Sequence, residues 1–230
     1  MIKYRKMMIG EGLGTFLITF AGCGAIMIDA LGAGGIGHLG VSLVFGLSYA
    51  MAILVLADFC RCHFNPALSI GFAVFGKVPV DQSAAAVGAQ IIGAFVAIGL
   101  LYAILGDAVA LGTSFPVAEI AQVIDGNPVL MAMACETVIA AILMFVALSV
   151  ARQGRLSGAT ASLGIGATVA ILTLVAGPLD GAPMNPARSL APAVMAGIHD
   201  GLWIYLLMPV IGGLIGGGIR VLVDKVTKPE

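Results

Sequence analysis

The chain has 230 residues, of which 60% are hydrophobic and only 10% charged. A soluble domain carries about 25% charged residues, so this composition, with a mean hydropathy of +1.10, points to a lipid bilayer as the solvent. The net charge of −1 leaves no basic field for nucleic acid.

A spanning helix needs about 20 apolar residues. The first apolar run, 7–29, follows Lys3, Arg5 and Lys6, and Phe20-Ala21-Gly22-Cys23 resembles a lipoprotein cleavage site. Glu11 interrupts the run and apolar spans continue to the other end, so it reads as a first transmembrane helix and not a cleaved signal. A second span is predicted at 39–58. It leads into Asp58, Cys60, Cys62 and His63. A structural zinc site takes four ligands at wider Cys spacing, so no metal and no cofactor is expected here. The four cysteines do not read as a disulfide framework. Asn65-Pro66-Ala67 then opens a short apolar segment, 66–76, before a third span at 82–105.

The connection 106–127 is the longest in the chain and holds Asp107, Glu119 and Asp125 but no Lys or Arg. Spans four and five are predicted at 128–151 and 157–178, Asn185-Pro186-Ala187 opens a second short segment at 186–196, and a sixth span covers 201–223. The last span carries Gly212, Gly213, Gly216, Gly217 and Gly218, and the third carries Gly88, Ala89, Gly93 and Gly99. Small residues at this spacing let helix backbones approach closely.

Each short segment has about 11 residues, or roughly 16 Å of helix, half the hydrocarbon core. The order is span, span, half-helix, span, twice over. Glu11 lies 54 residues before Asn65, and Glu136 lies 49 before Asn185, each early in the first span of its half. The pattern predicts one domain over 1–230, built from a repeat at about 5–110 and another at about 125–225. Three spans per half make the second repeat enter the membrane inverted. The fold class is then an all-α membrane protein with six transmembrane helices and two re-entrant half-helices. Paired half-helices in corresponding places point to a solute site at the bilayer midplane.

With the N-terminus in the cytoplasm, ten of the eleven Lys and Arg fall on that side, and only Arg188 lies on the other. That is a strong positive-inside bias, and both termini are expected to be cytoplasmic. Short loops and no evident targeting segment suit a prokaryotic inner membrane.

Asn is a good N-cap and Pro a favoured first helical residue, so each Asn-Pro-Ala reads as a helix start. Each half-helix then points its positive dipole end at the membrane centre, where the two Asn amides add donors. Carbonyls of the unwound loops 59–64 and 178–184 need a wet cavity to accept hydrogen bonds. Such a pore passes small neutral hydrogen-bonding molecules and repels cations and protons.

These motifs resemble the aquaporin (major intrinsic protein) family. The matching residues are His63-Phe64-Asn65-Pro66-Ala67 and Asn185-Pro186-Ala187-Arg188-Ser189, with the early Glu11 and Glu136, and the resemblance spans about 5–225. It implies a homotetramer with one pore per subunit, and a four-residue outer filter. Arg188 matches that filter directly. Phe45, Thr173 and Ala182 follow from register. Thr173 stands where strict water channels of the family have His. Ser189 and Ala193 resemble the water class, since glycerol facilitators tend to have Asp after the filter Arg and a basic residue four positions on. The resemblance makes Glu11 and Glu136 supports for the Asn-Pro-Ala loops and places His63 in the inner vestibule.

The expected function is a passive channel for water and for some other small neutral solutes. One alternative is a facilitator of the glycerol, urea or ammonia type. Another is an ion-coupled transporter, which needs intramembrane ion ligands beyond the two glutamates. His38, His63 and His199 are scattered with no nucleophile beside them, so an enzyme is not expected.

Overall fold

The computed structural model describes residues 4–32, 35–123, 125–151 and 154–227. Lys3, Arg152 and Lys228, part of the basic set counted above, lie outside the described residues. Nine α-helices follow in order among those described: α1 Arg5–Ala30, α2 Gly37–Leu56, α3 Pro66–Val74, α4 Val80–Leu105, α5 Ala118–Val123, α6 Pro128–Val150, α7 Gly158–Asp180, α8 Pro186–Ala196 and α9 Leu202–Thr227. Six of them are long and apolar enough to cross a membrane. The helices α3 and α8 are the two half-length segments.

The two halves pack by the same rule. Helix α1 lies along α4, α6 lies along α9, and α2 meets α7 across the middle. Both half-helices rest on α4 and α9. Glycine makes these approaches possible. A Cβ on Gly93 would stand 2.1 Å from the Gly12 carbonyl oxygen of α1. On α9, Cβ atoms at Gly212 and Gly216 would stand 2.2 and 1.9 Å from the carbonyl oxygens of Thr137 and Ala141 on α6. Any side chain there would push the helices apart. Gly88, Gly99 and Gly218 meet nothing, so only part of each small-residue stripe is an interface.

The outside of the bundle is aliphatic. Leu47, Ile92 and Val175 are each more than 60% exposed, and many Leu, Ile and Val residues accompany them. A water-soluble monomer rarely exposes an apolar surface this large, whereas hydrocarbon is an equal partner for it.

Two elements differ from the sequence reading. Helix α7 does not end at Pro178 but runs to Asp180, with a left-handed Gly181 as its cap. Proline removes the hydrogen bond to the carbonyl four residues back, and that carbonyl, Leu174, is met at 2.9 Å by the His38 Nε2 instead. The long connection also holds structure. A turn at 108–112 places Val109, Ala110 and Leu111 in left-handed backbone, and α5 follows it.

Candidate functional site

Both Asn-Pro-Ala tripeptides start a half-helix. Asn65 is extended (φ −155°, ψ 120°), and its Oδ1 accepts from Ala67 N at 2.9 Å. Asn185 (φ −144°, ψ 107°) accepts from Ala187 N at 3.1 Å and Arg188 N at 3.3 Å. Each side chain satisfies orphan donors of its own first turn. Each then reaches across to the other loop. Asn65 Nδ2 donates to the Met184 carbonyl at 2.7 Å, and Asn185 Nδ2 donates to the Phe64 carbonyl at 2.9 Å. The two positive helix ends therefore face each other through reciprocal bonds.

Several carbonyls of the expected acceptor ladder also accept from protein donors. The Phe64 and Met184 carbonyls accept from asparagine, the Arg61 carbonyl from Leu156 N, and the His63 carbonyl from the Tyr49 hydroxyl. An amide carries two N–H groups, so each Asn keeps one for a solute. In both loops the residues one and three before Asn have left-handed backbone: Phe64 (φ 52°) and Cys62 (φ 61°), Met184 (φ 52°) and Ala182 (φ 40°). Left-handed geometry costs about 1–2 kcal/mol at a non-glycine residue, so something must hold these turns.

Carboxylates hold them. Glu11 is fully buried and accepts from His63 N at 3.1 Å, Phe64 N at 2.8 Å and Gln90 Nε2 at 2.8 Å. Gln90 Nε2 also reaches Ser69 Oγ at 2.9 Å, which ties the loop to α3 and α4. Glu136, equally buried, accepts from Met184 N at 3.2 and 3.4 Å. Asp180 Oδ1 accepts from Ala182 N at 2.8 Å, an Asx-type turn. The sequence reading missed Asp180, though Asp followed by Gly at a helix end is a turn signal. It also missed Gln90, Tyr49 and Ser114, whose partners are remote in the chain.

Phe45, Thr173, Ala182 and Arg188 come together. With Asn65 and Asn185 they line a narrow cavity of about 20 Å³. A water-sized probe needs about 10–15 Å³, so this waist has room for one water at a time. Ala182 and Pro183 also line it. Outward it opens into a cavity of about 300 Å³ lined by Phe45, Thr173, Arg188, Ser114 and His38. Arg188 is 1% exposed, its Nη1 donates to Ser114 Oγ at 2.7 Å, and its Cζ stands 5.2 Å from the Phe45 ring centre. Its Nε and Nη2 have no hydrogen-bond partner among the described residues. A Cβ on Gly22 would stand 2.0 Å from the Phe45 ring, so a glycine on α1 sets where that ring lies.

The family model described as Major intrinsic protein matches residues 1–219. The chain belongs to the major intrinsic protein family. It is a membrane channel and not an enzyme. This major intrinsic protein is 36% identical over 228 residues to aquaporin NIP1-1 of Zea mays, covering 99% of this chain and 78% of that one. It is 34% identical over 226 residues to a probable NIP-type aquaporin of Nicotiana alata, covering 97% and 80%. Its fold is similar to the X-ray structure of the aquaglyceroporin from Plasmodium falciparum, with a TM-score of 0.83 and 25% identity over 96% of this chain and 99% of that one.

One loop group of this major intrinsic protein, His63, lies differently from the expected vestibule wall. His63 is 1% exposed and packs 4.4 Å from the Phe72 ring centre. Its Nδ1 meets Ser69 Oγ at 3.2 Å and its Nε2 meets the Gly154 carbonyl at 3.3 Å. A cavity beside it is lined by Phe72, Lys77, Leu148 and Gly154, and His63 is not among the residues that line it. Burial holds the imidazole below its ordinary pKa, against the pull of Glu11. Cys60 and Cys62 bring their sulfurs to 3.7 Å. The hydrogen bond with Cys62, and then burial, push the Cys60 thiol up.

Proposed function

We propose that this chain is a passive channel whose main solute is water. Phe45, Thr173, Ala182 and Arg188 form its selectivity filter, and Asn65 and Asn185 supply donors at its centre. The observation that carries this reading is the buried Arg188 guanidinium. Its Nε and Nη2, which carry three N–H groups, have no hydrogen-bond partner among the described residues, and Arg188 lines the waist. Donors aimed at a solute path bind water oxygen, while the same charge and the two helix N-termini repel cations. Glu11 and Glu136 support the loops, and the subunits assemble as a homotetramer with one pore each. The chain is read as one domain of two inverted repeats, with both termini in the cytoplasm by the charge bias. The relatives named above come from plants and a malaria parasite, and they lend no support to a prokaryotic inner membrane.

A second reading, a channel that also passes glycerol or urea, is favoured by the likeness to an aquaglyceroporin and by the two small filter side chains, Thr173 and Ala182. Stopped-flow light scattering on proteoliposomes separates the two. The first reading expects fast osmotic water flow with little glycerol or urea uptake; uptake of either at a rate comparable with water would replace it with the second. Thr173→His should cut any solute leak several-fold while water flow persists. An unchanged leak would remove Thr173 from the filter. Uptake driven by an ion gradient would overturn both readings in favour of a transporter.

A further inference from the structure

A cavity of about 270 Å³ opens at the face where α1 begins, well away from the pore. Tyr4, Lys6, Phe59, Arg61, Gln82 and Arg155 line it. They come from four places in the chain: the start of α1, the loop after α2, the start of α4, and the connection between α6 and α7. Local bonds bring them together. Leu156 N donates to the Arg61 carbonyl at 3.0 Å, which draws Arg155 onto the loop. Arg61 Nη2 donates to Gln82 Oε1 at 3.3 Å, and Lys6 Nζ lies 5.0 Å over the Phe59 ring. Three cations thus share one cavity, and no carboxylate is among its lining residues. Asp81, nearby on the surface, accepts from the Tyr4 hydroxyl.

An apolar groove of about 370 Å³ runs between α1 and α4, lined by Ile9, Gly12, Leu13, Ala89, Ile92 and Val96. Its floor is the close approach of Gly12 and Gly93. Helical spacing links it to the basic cavity on both walls. Lys6, Ile9 and Leu13 stand at i, i+3 and i+7 on α1, and Gln82, Ala89, Gly93 and Val96 at i, i+7, i+11 and i+14 on α4, so each set shares a face. Seven residues, about 10 Å of helix, separate Gln82 from Ala89. The headgroup zone of one leaflet is about 5–7 Å deep, so with a phosphate in the cavity the groove, about 10 Å further along, lies in the hydrocarbon where an acyl chain runs.

The geometry points to a binding site for one anionic glycerophospholipid. Its phosphate is held by Lys6, Arg61 and Arg155, and one acyl chain lies along the α1–α4 groove. Charge complementarity selects the headgroup, and continuity with the groove selects a lipid over a free anion. The site is independent of which solute the pore passes.

Native mass spectrometry of the detergent-solubilised full chain tests this. The probes are dioleoyl phosphatidylglycerol, dioleoyl phosphatidylcholine, dihexanoyl phosphatidylglycerol and inorganic phosphate. Wild type should hold the dioleoyl anionic lipid at least tenfold more tightly than the choline lipid. Removing two cations in Lys6→Gln/Arg155→Gln should weaken it roughly 25-fold, about fivefold per charge. The control Arg5→Gln/Lys77→Gln, which removes the same charge from the same face, should leave it within about twofold. Equal binding of the two dioleoyl lipids, or an equal loss in the control, would overturn the site. Inorganic phosphate or the dihexanoyl lipid binding as tightly as the dioleoyl lipid would reassign it to a free anion. Fast water flow in proteoliposomes reports that the double variant is folded. If it is not, the single variants, each expected to weaken binding about fivefold, carry the test.

Discussion

The two Asn-Pro-Ala loops do the same thing with different supports. Each has left-handed residues one and three positions before Asn, and each gives one carbonyl to the opposite Asn. The first loop hangs on a single carboxylate, Glu11, which receives two loop N–H groups and the Gln90 amide. The second divides the task. Glu136 receives Met184 N and Asp180 receives Ala182 N. The first loop's Phe64 and His63 rings pack on Tyr49 and Phe72, and the second loop is followed by the arginine at the waist. Loop shape is thus common to both halves, while the means of holding it is free to differ. The half that carries Arg188 spreads its support over two groups.

The sharpest way to break this comparison is Glu11→Gln against Glu136→Gln. An amide offers one acceptor oxygen where the carboxylate offered two, and hydrogen bonds to a charged group contribute about 1.5–3 kcal/mol each. Glu11→Gln should lose about 3 kcal/mol or more, and Glu136→Gln about half that. Equal shifts in the thermal midpoint in detergent would show that the halves are held alike. Next in size is Asp180→Ala. Losing one buried bond costs about 1 kcal/mol, but Ala182 borders the waist, so glycerol uptake should rise relative to water flow. A midpoint shift with no change in that ratio would separate Asp180 from the filter.

The smallest effect is expected from pH. His63 is held neutral by burial, with Glu11 opposing the downward shift and Arg61 reinforcing it. A depressed histidine contributes stability that is present above its ordinary value near 6.5 and is lost as pH falls below it. Water flow should be flat from pH 6.5 to 8, with the thermal midpoint dropping only on the acid side. A sigmoid in water flow centred above pH 6.5 would place a charged His63 in the path.

Much of this was legible in the sequence because it is local or periodic. The six spans follow from apolar length, the half-helix starts from Asn before Pro, and the early glutamates from their placement in both halves. What escaped depends on neighbours far along the chain. Pro178 reads as a helix end, but His38, 136 residues away, takes up the Leu174 carbonyl that proline leaves open. Asp180 and Gln90 are ordinary polar residues until the fold sets them beside a loop N–H and a carboxylate. The left-handed run at Val109–Leu111 contains no glycine to announce it. His63 carries the family's motif position, yet whether its ring reaches a cavity depends on Gly154 and Phe72.

The reciprocal asparagine bonds also set an order of assembly. Asn65 Nδ2 has its acceptor 119 residues downstream. At a synthesis rate of about 5–20 residues per second, that carbonyl leaves the ribosome about 6–24 s after the asparagine does. Through that interval the first loop has its carboxylate but not its partner loop. The first half thus waits in the membrane as an unfinished wall, and the pore closes into shape only when the second half arrives.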